Sequence, residues 1–145
     1  MKTTNNTHEV NGSHYESDGP LEPVHLMQAF NMNWFQGEIL KYCSRHWRKN
    51  GINDLNKAIH IADMAKDFSA YTPNQNYLKA GALEFSNGQR QILVAYQEQY
   101  RYRFENPYNS LGDFDIFINL LKSIINQDYS KVRNLIQQIS RIYYA

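Results

Sequence analysis

The chain has 145 residues, of which 42% are hydrophobic and 14% aromatic, and its formal net charge is +1. That length suits one compact domain with a sizeable core. The near-neutral balance argues against a nucleic-acid backbone as partner, because such domains carry a strong basic excess. The single cysteine, Cys43, excludes an internal disulfide and fits a reducing cytoplasm.

Residues 1–13 are mostly Thr, Asn, Gly and Ser, a composition too poor in apolar groups to offset its ordering entropy. The expectation is a flexible N-terminal arm with no secretory signal. No run approaches the roughly 18 apolar residues of a membrane span, so the reading is a cytoplasmic protein without a membrane partner. Order is expected from His14-Tyr15. The stretch SDGPLEP then makes a turn and an extended lead into a short helical face formed by Val24, Met27 and Phe30 or Leu26.

Asn33 has the chemistry of an N-cap, and Gln36, three residues on, completes a capping box. The spacing predicts a helix from Trp34 to about Lys49, with Phe35, Ile39, Tyr42 or Cys43, and His46 or Trp47 on its inner side. Asn50-Gly51 ends it. Asn53 is expected to cap the next helix, with Asp54 in its first turn and Leu55, Ile59, Ala62 and Ala65 or Met64 facing inward as far as about Phe68. The pair forms an αα-hairpin.

A short helix is expected over 76–85 and a longer one over 89–104, with Asn106-Pro107 as a breaker. A helix starting at Ser110 or Asp113 would bury Phe114, Phe117, Ile118, Leu121 and Ile125. Asp128 or Ser130 would cap a last one through Val132, Leu135, Ile136, Ile139 and Ile142. The fold class is therefore all-α, about five or six helices, with the hairpin over about 34–70 and a C-terminal helical pair. Residues 14–145 make a single helical domain, divided into a hairpin region at 14–71 and an extension at 72–145.

Between residues 38 and 57 there are five basic side chains (Lys41, Arg45, Arg48, Lys49, Lys57) and two acidic ones (Glu38, Asp54). That is a local +3 in a chain whose total is +1, so the positive charge is concentrated here. On one continuous helix Glu38, Lys41, Tyr42, Arg45 and Lys49 share a face, and an antiparallel hairpin brings Asp54 and Lys57 to its end. Arginine forks match phosphate oxygens and lysine offers a mobile point charge. The competing reading is a solvated face, with basic residues that complement a helix C-terminus.

Other chemistries find less support. No G-x-x-x-x-G-K-[ST] or G-x-G-x-x-G run occurs, so a nucleotide would have to be held without either phosphate loop. His60 and Asp63 lie three apart as two conceivable metal ligands, but no H-E-x-x-H is present and surface packing explains them equally. Cys43 on the apolar stripe reads as a small hydrophobe. The run QEQYRYRFENPY at 97–108 fits packing or a homo-oligomer interface better than base stacking.

The residues His14-Tyr15, Glu22-Pro23-Val24, GEILKYCSR at 37–45, KNG at 49–51 and D-L-x-K-A at 54–58, in that order, resemble a small phage-encoded family, domain of unknown function family 3310. The resemblance covers about a third of the chain. It implies a nucleotide kinase acting on deoxynucleoside monophosphates without a Walker motif, in the host cytoplasm. The site it implies is His14, Tyr15, Lys41, Tyr42, Arg45, Lys49, Asp54 and Lys57. In that site Lys41 and Asp54 would be catalytic, and the others would bind ligand and phosphate. ATP with Mg2+ would be the cofactor and a small nucleotide the partner. The alternatives are a non-enzymatic binder that sequesters a nucleotide signal or a host protein, and a MazG-like nucleoside triphosphate pyrophosphatase. The latter lacks support because Glu38 is followed at three by Lys41 where that fold needs a second glutamate.

Overall fold

The structure is a computed structural model that describes residues 19–71, 85–103 and 111–145, the side chains of 69–71 and 111–113 excepted. The expected arm at 1–13, His14, Tyr15, the breaker at 106–107 and all but the last residue of the helix expected over 76–85 lie outside the described residues. Six α-helices are described: α1 Pro23–Ala29, α2 Trp34–Arg45, α3 Ile52–Tyr71, α4 Asn87–Tyr100, α5 Leu111–Ile125 and α6 Tyr129–Tyr144. Two single 3-10 turns extend α2 and α4, at His46–Arg48 and Arg101–Arg103. No strand occurs among the described residues, and the all-α expectation stands. No described helix is long and apolar enough to cross a membrane.

Local sequence explains most boundaries. The Asn33–Gln36 capping box forms in both directions: Gln36 N–H donates to Asn33 Oδ1 at 2.9 Å and Asn33 N–H to Gln36 Oε1 at 2.8 Å. The same device, unnoticed in the sequence, opens α4 through Ser86 and Gln89. Gly51 takes a positive φ of 56° and turns the chain from α2 into α3, a conformation that costs a side chain with a Cβ. The next helix begins at Ile52, one residue ahead of the cap expected at Asn53, because the Gly51 turn already supplies the first helical bonds. Asp128 caps α6 as expected, accepting from Lys131 N–H.

The core joins all six helices. From α2 and α3 come Ile39, Leu40, Cys43, Leu55, Ala58, Ala62 and Ala65; α5 and α6 add Phe117, Leu120, Leu121, Ile124, Val132, Ile136 and Ile139. The hairpin α2–α3 packs along its length, α6 lies against α3 and α5, and α1 bridges α2 and α4. Gly37 lets α1 approach, since a Cβ there would stand 3.2 Å from Met27 Sδ. Two expected inward positions are corrected. Val24 is 51% exposed, because Leu26 and Phe30 carry the buried face of α1 instead. Ile142 also faces outward, while of the two alternatives on α3 Ala65 is the one inside and Met64 is exposed.

Polar side chains sew distant segments together. Gln36 Nε2 donates to the carbonyls of Ile124 and Ile125 and so satisfies the end of α5. Gln99 holds the Leu21 backbone from both sides, at 2.9 and 2.7 Å. Tyr96 O–H donates to Ser44 Oγ at 2.7 Å inside the core. Such buried partners are worth more for what their loss would leave unpaired than for their net gain.

Candidate functional site

The site begins where α2 stops. Arg45 is the last residue of α2, and its backbone (φ −124°, ψ −3°) already leaves helical geometry for the 3-10 turn. Its side chain is turned inward by its partner on α3, leaving the residue 4% exposed. There it meets Asp54 of α3, which is 0% exposed. Arg45 Nε lies 3.4 Å from Asp54 Oδ2 and Arg45 Nη2 3.5 Å from Oδ1. Asp54 Oδ2 also accepts from Asn50 N–H at 3.2 Å. The expected metal-holding or proton-accepting Asp54 and the expected phosphate fork of Arg45 are thus turned to each other, and both act as a buried brace beneath the turn.

Above the brace lies Tyr42. Lys41 Nζ is 4.7 Å, Arg45 Cζ 4.8 Å and Lys57 Nζ 5.5 Å from its ring centroid. A ring's quadrupole attracts cations at such distances, so Tyr42 gathers three positive charges at one spot. Lys41 is also tied to Glu38 at 3.0 Å along the surface of α2. Lys49 follows the 3-10 turn, half-buried, and does not share the helical face assigned to it, because that face ends with α2 at Arg45.

Next to Tyr42 opens a cleft of about 500 Å³, lined by Tyr42, Asn50, Asn53, Asn56, Lys57, His60 and Ile61. Of the expected site residues that are described, only Tyr42 and Lys57 line it. The three carboxamides lie outside the charge pattern that marks the expected site, and the spacing of Asn53, Asn56, Lys57 and His60 at 0, 3, 4 and 7 places them on one face of α3. His60 and Asp63 do not pair as metal ligands. Asp63 instead turns to Arg133 of α6 at 3.2 Å, and no three His, Cys, Asp or Glu side chains gather to hold a metal ion among the described residues.

Two further titratable groups lie under the site. Cys43 is fully enclosed, and burial, followed by the Asp54 charge, pushes its thiol far above the ordinary range. A thiol held protonated in this way packs as a small hydrophobe. His46 is 2% exposed, and its pKa is lowered to about 3 by burial, with the Asp54 charge opposing and Arg103 assisting. In the unfolded chain it titrates near 6.5. Its folded value is depressed, so the unfolded state binds the extra proton and stability falls as pH drops through the window from 6.5 toward 3. Urea denaturation is expected to show a loss of about 2 kcal/mol from this group between pH 7 and pH 5. A His46→Gln variant should lose that part of the slope, and an unchanged slope would refute the assignment.

The tyrosine- and arginine-rich run behaves as packing over its described part. Tyr100 is buried against Trp47, Tyr96 and Phe117, and Arg101 lies 4.3 Å over the ring of Phe114.

Residues 10–63 match DUF3310, a family described as a protein of unknown function. The DUF3310 match spans α1, α2, the Gly51 turn and most of α3, and thus every residue lining the cleft. No curated protein and no solved structure matches the chain.

Proposed function

We propose that this protein binds a small nucleotide in the cleft beside Tyr42. The observation that carries this reading is the placement of three cations around one tyrosine ring next to three carboxamides and a histidine. A cleft of about 500 Å³ is of the size that takes small ligands. Lys57 supplies the point charge for a phosphate. Asn50, Asn53 and Asn56 each both donate and accept, as base and sugar edges require. The concentration of charge gives a positive potential on a nearly neutral chain, which favours anions of small size over an extended polyanion.

The described donors support capture better than phosphoryl transfer. Asp54 is enclosed by Arg45, and Lys41 is engaged by Glu38. A magnesium ion brought by the nucleotide would be held mainly by the nucleotide's own phosphates and water. Sequestration of a nucleotide is therefore preferred to the kinase that the family resemblance implies, and no catalytic step is assigned.

Calorimetric titration with nucleoside mono-, di- and triphosphates, with and without magnesium, tests this. Lys57→Ala removes one charge-assisted bond, worth about 1.5–3 kcal/mol, and should weaken binding by roughly tenfold or more while the melting temperature stays nearly unchanged. Wild-type affinity in that variant, or no nucleotide bound by the wild type, would remove the site. Formation of a nucleoside diphosphate on incubation with ATP and a deoxynucleoside monophosphate would replace capture with catalysis.

A further inference from the structure

The last turn of α6 ends on the turn that builds the cleft. Tyr144 Oη lies 2.7 Å from His46 Nδ1 and 3.4 Å from the His46 carbonyl oxygen. That carbonyl also accepts from Gly51 N–H at 3.1 Å. A tyrosine ring carbon of the same residue stands 3.4 Å from where a Cβ on Gly51 would lie. Gly51 is the left-handed pivot of the turn. Asn50 before it and Asn53 after it both line the cleft. The Gly51 carbonyl accepts from Asp54 N–H at 3.0 Å, which joins the pivot to the first turn of α3.

The protons in this cluster can be assigned. Tyr144 has one hydroxyl proton and neutral His46 has one ring proton. His46 Nε2 is buried and meets no partner. If Tyr144 donated to Nδ1, the ring proton would sit on Nε2 as an orphaned buried donor, which is the rarer and costlier defect. If Nδ1–H donates to Tyr144 Oη, the hydroxyl is free to donate to the His46 carbonyl, and only an acceptor lone pair is left unsatisfied. The second arrangement uses both observed distances and is the one we assign.

We propose that Tyr144 is a positioning residue for the cleft. Its hydroxyl accepts from Nδ1–H of His46, donates to the His46 carbonyl, and so holds the Gly51 turn in the form that presents Asn50 and Asn53. The proposal rests on the reading of the cleft as a nucleotide site. Coupling is reciprocal, so a ligand in the cleft tightens the Tyr144 contact as much as that contact favours the ligand. A side chain that only stabilised the fold would show no such exchange.

The test uses the full chain, as wild type, Tyr144→Phe and, for comparison, Tyr143→Phe, whose hydroxyl donates instead to the Arg103 carbonyl. In the absence of ligand, amide exchange at Gly51 should be roughly tenfold faster in Tyr144→Phe and unchanged in Tyr143→Phe. Nitrogen-15 shifts of His46 should report the Nδ1–H tautomer in the wild type. AMP, GMP, CMP and TMP are then titrated singly, with inorganic phosphate as a further probe. The wild type's tightest ligand should bind about tenfold more weakly to Tyr144→Phe and should slow Gly51 exchange only where Tyr144 is intact. Equal Gly51 exchange in wild type and Tyr144→Phe overturns the proposal whatever binds. Faster exchange with unchanged affinity overturns the coupling. Faster exchange in a protein that binds none of these probes upholds the hold on the turn and overturns the nucleotide reading.

Discussion

Replacing Asp54 with alanine is expected to cost about 3–5 kcal/mol, because it leaves the Arg45 guanidinium buried without its carboxylate. For a chain of this length that lowers the melting temperature by roughly 10 °C or more. The two contact distances, 3.4 and 3.5 Å, are long for a fork-to-fork pair, so the pair's own net attraction is small and the loss comes mainly from the stranded charge. Replacing both partners at once, as in Arg45→Met with Asp54→Leu, should recover most of the stability. Urea denaturation of the two variants measures the difference. A single variant as stable as the wild type, or a double variant no better than the single one, would contradict the brace. The Asn50 amide loses its acceptor in either case, so the cleft should loosen even in the stable double variant.

Phe117→Ala carries the other large effect. Phe117 is 0% exposed, with its ring 5.5 Å from Tyr100 and 6.0 Å from Trp47. Removing it deletes the centre of an aromatic cluster that joins α4, α5 and the 3-10 turn after α2. The expected loss is about 3–5 kcal/mol, transfer and cavity together. Trp47 should also report the cavity by a red-shifted emission in the folded state. Trp34 is exposed and gives an already solvated background, so a Trp34→Phe parent isolates the signal. A loss below about 1 kcal/mol would mean that the neighbouring rings close the space without strain.

Much of the fold is legible because its signals are local. The Asn33–Gln36 box, the Gly51 turn, the first-turn Asp54 and the Asp128 cap depend on residues a few positions apart, and each is found where the sequence places it. The site is less legible because it depends on where α2 ends. A helical wheel continued from Glu38 to Lys49 keeps Arg45 and Lys49 on one cationic face. The helix stops at Arg45, the 3-10 turn changes the angular step, and the wheel loses its meaning from there. The partner that turns Arg45 inward is nine residues away, and no periodicity carries that contact. Lys57 lies 5.5 Å from the Tyr42 ring because the antiparallel hairpin sets α2 and α3 side by side. The asparagines of the cleft carry no charge, so the charge pattern of the sequence does not mark them.

The segment that matches the family ends within α3, but three of its buried polar side chains reach partners beyond it. Gln36 looks to the carbonyls of Ile124 and Ile125, Ser44 to Tyr96, and His46 to Tyr144. A peptide cut at residue 63 would carry the cleft's residues together with three unanswered polar side chains and an uncovered apolar stripe. The border of the sequence match is therefore not a border of folding. A graft of this hairpin onto another scaffold would have to bring acceptors and donors at the same three places.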